Sequence, residues 1–224
     1  MGWQMMLVDV EGMRVLVVGG GSVGARRALR LAGLGAKVLV ASLDFDESLL
    51  DAERSGLVEL VRLDASRPWE LAPLIEWSQL VVVALPSRGL AEQVASLARE
   101  RGKLVSVATT GLRGNVVMPL QGEAGGLIVG VTSLGESGLA ARRLLEECLR
   151  EAESREVQCI RRAHGEAKRR MIESIPDPKR RMEAHMSIWR DGVFRTLCRE
   201  GRVDEALRRA LEVAGLAGGG SEPQ

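Results

Sequence analysis

Tyrosine is absent from the 224 residues, and the aromatic side chains together make up only 3% of them. So few rings exclude an aromatic platform on which successive bases of a single-stranded nucleic acid would stack, and they leave the core to aliphatic side chains. Charge of one sign is lacking too. Lysine and arginine number 31 against 30 aspartates and glutamates, a net charge of +1, so the chain as a whole is no nucleic-acid polyelectrolyte binder. Within the basic set lysine is scarce and arginine dominates, the side chain suited to bidentate carboxylate or phosphate contacts. A bias in genomic base composition would produce the same excess. The three cysteines, Cys148, Cys159 and Cys198, are far apart, with no Cys-x-x-Cys and no Cys/His cluster, so no metal site is signalled. An odd, sparse set suits a reducing compartment, and a cytoplasmic location is expected. No window of 18 uncharged apolar residues occurs, so no membrane span is expected. Met1–Val10 lacks the basic start of a signal peptide.

Hydrophobic residues make up 46% of the chain, enough for one α/β domain and a helical remainder. The run Arg14–Val18 is continuously apolar and β-branched after its first residue and reads as a strand buried on both faces. Helix-forming residues follow from Ala25 to Leu34, stopped by Gly35. Further strands are expected at Lys37–Ala41, Glu59–Leu63, Leu80–Leu85 and Leu104–Ala108, with a helix at Leu90–Arg101. Strands that alternate with helices predict a parallel sheet with a crevice at the strand C-terminal ends. After that the pattern changes. Val116–Pro119 and Gly126–Val131 are short strand candidates, and Ser137 to about Glu153 is a helix. Charge-rich helical periodicity then continues to Ala217, broken at Ile175–Pro178. Gly218–Gln224 reads as a tail.

Gly19-Gly20-Gly21-Ser22-Val23-Gly24 matches G-x-G-x-x-G, and it directly follows a strand and opens a helix, the context that dinucleotide binding requires. Gly19 permits the tight turn, Gly21 lets the backbone approach a pyrophosphate, and Gly24 lets the helix pack close to the strand. The first helical N–H groups, at Ser22 and Val23 among others, then face the phosphates with the helix dipole behind them. This is the signature of a Rossmann domain. Where the second strand ends, an acidic residue would select NAD. Ser42-Leu43 stands there, with Asp44 and Asp46 slightly later. Ser42 would bond a ribose hydroxyl or Asp44 would swing in, unless the two aspartates are simply solvated. No arginine in this segment stands ready for a 2′-phosphate, which favours NAD over NADP.

The stretch Met6–Arg27, with its strand, Gly-Gly-Gly-x-Val-Gly loop and basic residues on the helix, resembles the opening of precorrin-2 dehydrogenases, which is also the N-terminal module of siroheme synthases. The likeness continues through Leu104–Pro119 and through Val131-Thr132-Ser133-Leu134-Gly135-Glu136-Ser137-Gly138-Leu139-Ala140-Ala141-Arg142. The region of Arg180-Arg181 and Trp189–Phe194 is similar to the family's helical tail. The resemblance implies NAD-dependent oxidation of precorrin-2 to sirohydrochlorin, with metal insertion in some members. It also implies a Rossmann-like parallel sheet (1–112), a small dimerisation region (113–150) and a C-terminal helical domain (151–217) before the tail (218–224). The active site would lie between cofactor crevice and helical region, and the protein would be a homodimer. Departures from the family pattern are visible. Thr109 takes the place of the family's aspartate after the fifth strand. Ala84-Leu85-Pro86-Ser87 replaces Ala-Thr-Asp-Asp, Gly138 replaces a proline, and Gly24 an alanine.

On this resemblance Thr109 and Ser137 are the catalytic candidates. Thr109, with Thr110, would orient a water that takes the proton, unless the two merely cap a strand end. Ser137 would sit near the tetrapyrrole or cap the following helix, and the roles are compatible. Cofactor contacts are expected from Gly19, Gly21, Ser22, Val23, Gly24, Ser42, Leu43, Leu85 and Pro86. Arg113, Asn115 and Arg142 are the candidates for the substrate's carboxylates. Arg143, Arg169-Arg170 and Arg180-Arg181 read as well as solvated helix charges. The two histidines, His164 and His185, would be bases for metal insertion or solvated residues on charged helices. Three functions compete: a precorrin-2 dehydrogenase, a non-catalytic NAD- or tetrapyrrole-binding protein, and an unrelated Rossmann oxidoreductase or sensor.

Overall fold

The computed structural model describes residues 2–108, 111–112 and 114–216. The chain divides into two compact units, Met1–Met118 and Pro119–Gln224.

In the first unit β1 (Arg14–Gly20), α1 (Ser22–Gly33), β2 (Lys37–Phe45), α2 (Glu47–Arg54), β3 (Glu59–Arg62), α3 (Pro68–Trp77), β4 (Leu80–Val83), α4 (Arg88–Glu100) and β5 (Leu104–Val107) alternate. The strands form one sheet in the order β3-β2-β1-β4-β5, parallel throughout. The unbroken apolar runs are explained by burial on both faces. Leu16, Val18, Leu39, Ala41, Val81 and Val83 share one core with Leu71 and Ile75 of α3 and Ala91, Val94 and Ala98 of α4. Val15, Val17, Val38, Val40 and Val82 share another with Ala25, Ala28 and Leu31 of α1 and Leu49 and Ala52 of α2. The strand order reverses between β1 and β4, and a crevice opens there beyond the carboxyl ends.

Three local expectations need correction. β2 runs on to Phe45 because, after an irregularity in β1, Gly20 pairs with Phe45. The segments on either side of β3, given no element in the sequence reading, form α2 and α3. The stretch Val116–Pro119 is not a strand. Val116 instead donates its backbone N–H to the Val105 carbonyl at 3.0 Å. Asn115 docks on the same edge of β5, accepting from Val105 N–H at 2.6 Å and donating to the Lys103 carbonyl at 3.0 Å. A side-chain amide thus satisfies backbone groups that an edge strand would leave open.

In the second unit β6 (Leu120–Ala124) and β7 (Leu127–Val131) form an antiparallel hairpin. Its two turn residues, Gly125 and Gly126, both adopt positive φ, as the tight hairpin connection demands. Then come α5 (Gly138–Ala152), α6 (Arg155–Ser174), α7 (Pro178–Arg190), α8 (Gly192–Arg199) and α9 (Val203–Val213). The break between α6 and α7 falls at Ile175-Pro176-Asp177, where Asp177 caps α7. Cys159, Ala163, Ala167 and Met171 recur every fourth residue along α6 and pack with Ile188, Phe194, Cys198, Ala206 and Ala210. Small alanines let these helices approach closely. No helix among the described residues is long and apolar enough to cross a membrane.

Candidate functional site

The crevice is a cleft of about 730 Å³ lined by Gly19–Val23, Ala41–Asp46, Leu63–Ala65, Ala84–Ser87, Leu90 and Ala108. That volume suits a small-molecule or cofactor site. The glycines at its floor are there for different reasons. Gly19 has φ +111°, and a Cβ on it would stand 2.4 Å from the Ala84 carbonyl oxygen. A Cβ on Gly24 would stand 1.9 Å from the Gly19 carbonyl oxygen, so the helix and the loop touch there. Gly24 is therefore required by packing in this chain, although the resembling family has alanine at this point. Gly21 differs from both. Its backbone is ordinary extended chain, φ −74° and ψ −179°, and a Cβ on it would meet nothing within 4 Å. It borders open space in the cleft, where a bound group would come.

The N-terminus of α1 faces the same space. The first ladder bond is Ala25 N–H to the Gly21 carbonyl at 2.9 Å, so the N–H groups of Ser22, Val23 and Gly24 precede the ladder. No side chain caps this helix, and its first turn carries no acidic residue. Elsewhere in the unit α2 and α4 are capped by Asp46 and Ser87. Uncapped N–H groups, positive helix dipole and a floor without a Cβ together fit the diphosphate of a dinucleotide.

The rim supplies the rest. Ser42 is half-buried and Leu43 exposed at the carboxyl end of β2. The Asp44 side chain, also exposed, has no hydrogen-bonded or ion-paired partner among the described residues. Asp46 accepts from the Ser48 hydroxyl at 2.6 Å and its N–H at 3.1 Å, and these bonds hold its carboxyl below the usual range. It is a surface charge that caps the start of α2. Two rim residues escaped the linear reading. Asp64, at the end of β3, lines the cleft, and the backbone N–H and side chain of Ser66 lower its pKa. Arg62 pairs in register with Ser42 but is exposed and lies outside the cleft lining. Only the strand pairing brings these two beside β2. Leu85 and Pro86 form the wall beyond β4, with Leu85 packed on the core.

The structure thus gathers Gly19, Gly21, Ser22, Val23, Ser42, Leu43, Leu85 and Pro86 around one cleft, with Gly24 directly behind Gly19. Asn115 is held by its amide oxygen and one amide N–H against the Val105 and Lys103 backbone, with its second N–H unbonded among the described residues. Thr109, Thr110 and Arg113 lie outside the described residues. Ser137 and Arg142 belong to the second unit. Ser137 caps α5, accepting from Ala140 N–H at 3.2 Å, while its own N–H donates to the Ser133 hydroxyl at 2.9 Å. Arg142 is exposed on α5 and has no bonded partner among the described residues.

The histidines are not separate solvated residues. His164 Nε2 and His185 Nδ1 lie 2.9 Å apart, with ring centroids at 4.9 Å. Burial, then His185 and Lys168, lower the His164 pKa. Burial, Lys168 and Arg181 lower that of His185. A hydrogen bond in which one ring N–H donates to the other ring's nitrogen fits this setting. Arg181 has a structural role, donating to the Ile175 and Pro176 carbonyls at the end of α6, while Arg169 and Arg170 are exposed helix charges paired with Glu166 along their own helix.

A protein family described as "Putative NAD(P)-binding" matches residues 6–120, the span from the N-terminal segment to the start of β6. A precorrin-2 dehydrogenase of Methanosarcina barkeri is 37% identical over 134 residues, which is 59% of this chain and 58% of that one. A siroheme synthase of Methylococcus capsulatus is 25% identical over 218 residues, 95% of this chain and 43% of that one. Both alignments cover less than two thirds of the relative. Among solved structures, one titled "SirC, precorrin-2 dehydrogenase" matches with a TM-score of 0.65 at 21% identity, covering 94% of this chain and 100% of that one. It establishes the fold: a parallel sheet flanked by helices, followed by a helical region. The resemblance read from Met6–Arg27 is borne out by these relatives.

Proposed function

The chain belongs to this NAD(P)-binding family, and on that premise we propose that it is an NAD-dependent oxidoreductase that converts precorrin-2 to sirohydrochlorin. The observation that carries the reading is the junction of β1 and α1, where three N–H groups and a floor open at Gly21 meet a cleft of cofactor size. The relatives named for precorrin-2 oxidation and siroheme synthesis supply the substrate class.

When bound, the nicotinamide would accept hydride from the tetrapyrrole. The chain's own work is then mostly positioning. Ser22, Val23 and Gly24 N–H groups would hold the diphosphate. Ser42 and Asp44 would bond the adenosine ribose, and a rim carrying Asp44 and Asp64 disfavours an added 2′-phosphate, so NAD is preferred to NADP. Leu85 and Pro86 would exclude water from the apolar wall. In this reading Thr109 orients the water that takes up the proton, and Ser137, Arg113 and Arg142 meet the polar and carboxylate groups of the substrate. With Thr109 in place of the family's aspartate, metal insertion would be weak or absent. The protein would act as a cytoplasmic homodimer.

The replacement at Thr109 favours one other reading, a protein that binds NAD or tetrapyrrole without turnover. Purified protein mixed anaerobically with precorrin-2 and NAD+ separates the two. NADH absorbance rising in step with sirohydrochlorin supports the enzyme. Tight NAD+ binding with no turnover supports the binding protein and refutes the enzyme.

A further inference from the structure

We propose that Cys159 and Cys198 are a disulfide-forming pair that ties α6 to α8 in the second unit. The residues are 39 positions apart in sequence, yet their Sγ atoms lie 2.7 Å apart. Both are sealed in the core of the helical unit, 1% and 0% exposed, and each sulfur has the other as its hydrogen-bond partner. The helices that carry them are also tied by charge. Glu156, one turn before Cys159, meets Arg199, next to Cys198, at 3.6 Å. The same two helix ends are thus held in register by an ion pair on the surface and a thiol pair beneath it. Cys148, half-exposed on α5, has no part in this arrangement. The first unit contains no cysteine, so the proposal is independent of the cofactor reading.

The chemistry is thiol–disulfide exchange with a small disulfide RS–SR as the oxidant. One cysteine, as thiolate, attacks RS–SR, forming a mixed disulfide and expelling RS⁻. The second thiolate then attacks the protein sulfur of that mixed disulfide and expels the other RS⁻. The two protons released by the cysteines end on the two RSH products. The protein sulfurs are oxidised by two electrons and the small disulfide is reduced by two. The second step is intramolecular, and it is favoured as the packing of α6 on α8 draws the two sulfurs together. Burial, and the neighbouring Cys159 and Glu156, push the Cys198 thiol upward, so attack in the native state is slow. Under an oxidising glutathione poise the bond is expected to form while the chain folds, before the core closes over the sulfurs; in a reducing cytoplasm the pair stays as two thiols.

The test is to denature the full chain under reducing conditions and refold it in a buffer of reduced and oxidised glutathione. Free thiols are then alkylated in denaturant, and the protein is weighed and mapped by peptide mass. The expected result is one alkyl group, on Cys148, and a single cross-linked peptide pair joining Cys159 to Cys198. Cys148→Ser keeps that link, and Cys159→Ala abolishes it. The cross-link should raise the melting midpoint of the helical unit by at least about 5 °C. Alkylation of all three cysteines, links scattered among the three, or an oxidised protein that melts lower than the reduced one would each overturn the proposal.

Discussion

Replacing Gly21 by valine separates binding from folding more sharply than any other change in the cleft. The backbone at Gly21 is extended, φ −74° and ψ −179°, a conformation every residue adopts, and the added Cβ would meet no atom within 4 Å. The fold should therefore tolerate the change, the stiffer unfolded chain offsetting the poorer N-cap that valine makes. A dinucleotide would not tolerate it. Its diphosphate must come within hydrogen-bonding distance of the Ser22, Val23 and Gly24 N–H groups, and a branched side chain at Gly21 occupies that approach. Two charge-assisted hydrogen bonds lost at about 1.5 kcal/mol each come to about 3 kcal/mol, or roughly 100-fold in Kd. Titration calorimetry with NAD+ measures the affinity, and thermal melting in the absence of cofactor shows that the fold is kept. A folded Gly21→Val protein that binds NAD+ within about threefold of the parent would refute the reasoning.

Gly24→Ala should behave in the opposite way: its Cβ would press to 1.9 Å from the Gly19 carbonyl oxygen. The first unit should lose about 3 kcal/mol of stability, seen as a lower urea midpoint. Asn115→Ala should also act on stability, because it leaves the N–H of fully buried Val105 and the Lys103 carbonyl without their partner. A loss of about 2 kcal/mol in urea unfolding, with NAD+ affinity unchanged, is expected. The histidine pair makes the helical unit sensitive to acid. Both pKa values are lowered in the folded state, so as pH falls through the unfolded value near 6.5 the unfolded chain takes up protons that the native pair resists. Stability should be fully present above that pH and decline below it, as measured by urea midpoints across the range. The double variant His164→Gln/His185→Gln should flatten the profile.

The cofactor half was legible because its signals are local. A run such as Val15-Leu16-Val17-Val18, a glycine loop and a helix lie consecutively in the chain, and both faces of the strand are buried, so no alternation obscures it. Legibility ended where structure depends on a partner distant in sequence. The extension of β2 to Phe45 follows from its pairing with Gly20, and Asp64 reaches the cleft because β3 lies beside β2. α3 was hidden by Pro73 within it and by an apolar character spread around the helix rather than along one face. α2 is only eight residues long and owes its start to the Asp46 cap. Asn115 looked like a free polar residue in a loop, yet the edge of β5 takes its amide. The His164–His185 and Cys159–Cys198 pairs cross between helices, 21 and 39 positions apart. Periodicity places each residue on a helix but does not tell which helix faces it.

The central claim is that the N–H groups opening α1 grip the diphosphate of a nicotinamide dinucleotide. The most direct measurement is a titration of the ¹⁵N-labelled protein with NAD+, following backbone amide resonances. Ser22, Val23 and Gly24 should show the largest saturable shifts, with smaller ones at Ser42, Leu43 and Leu85. Saturable binding that leaves the Ser22–Gly24 amides unmoved, or no binding at millimolar NAD+, would contradict the account.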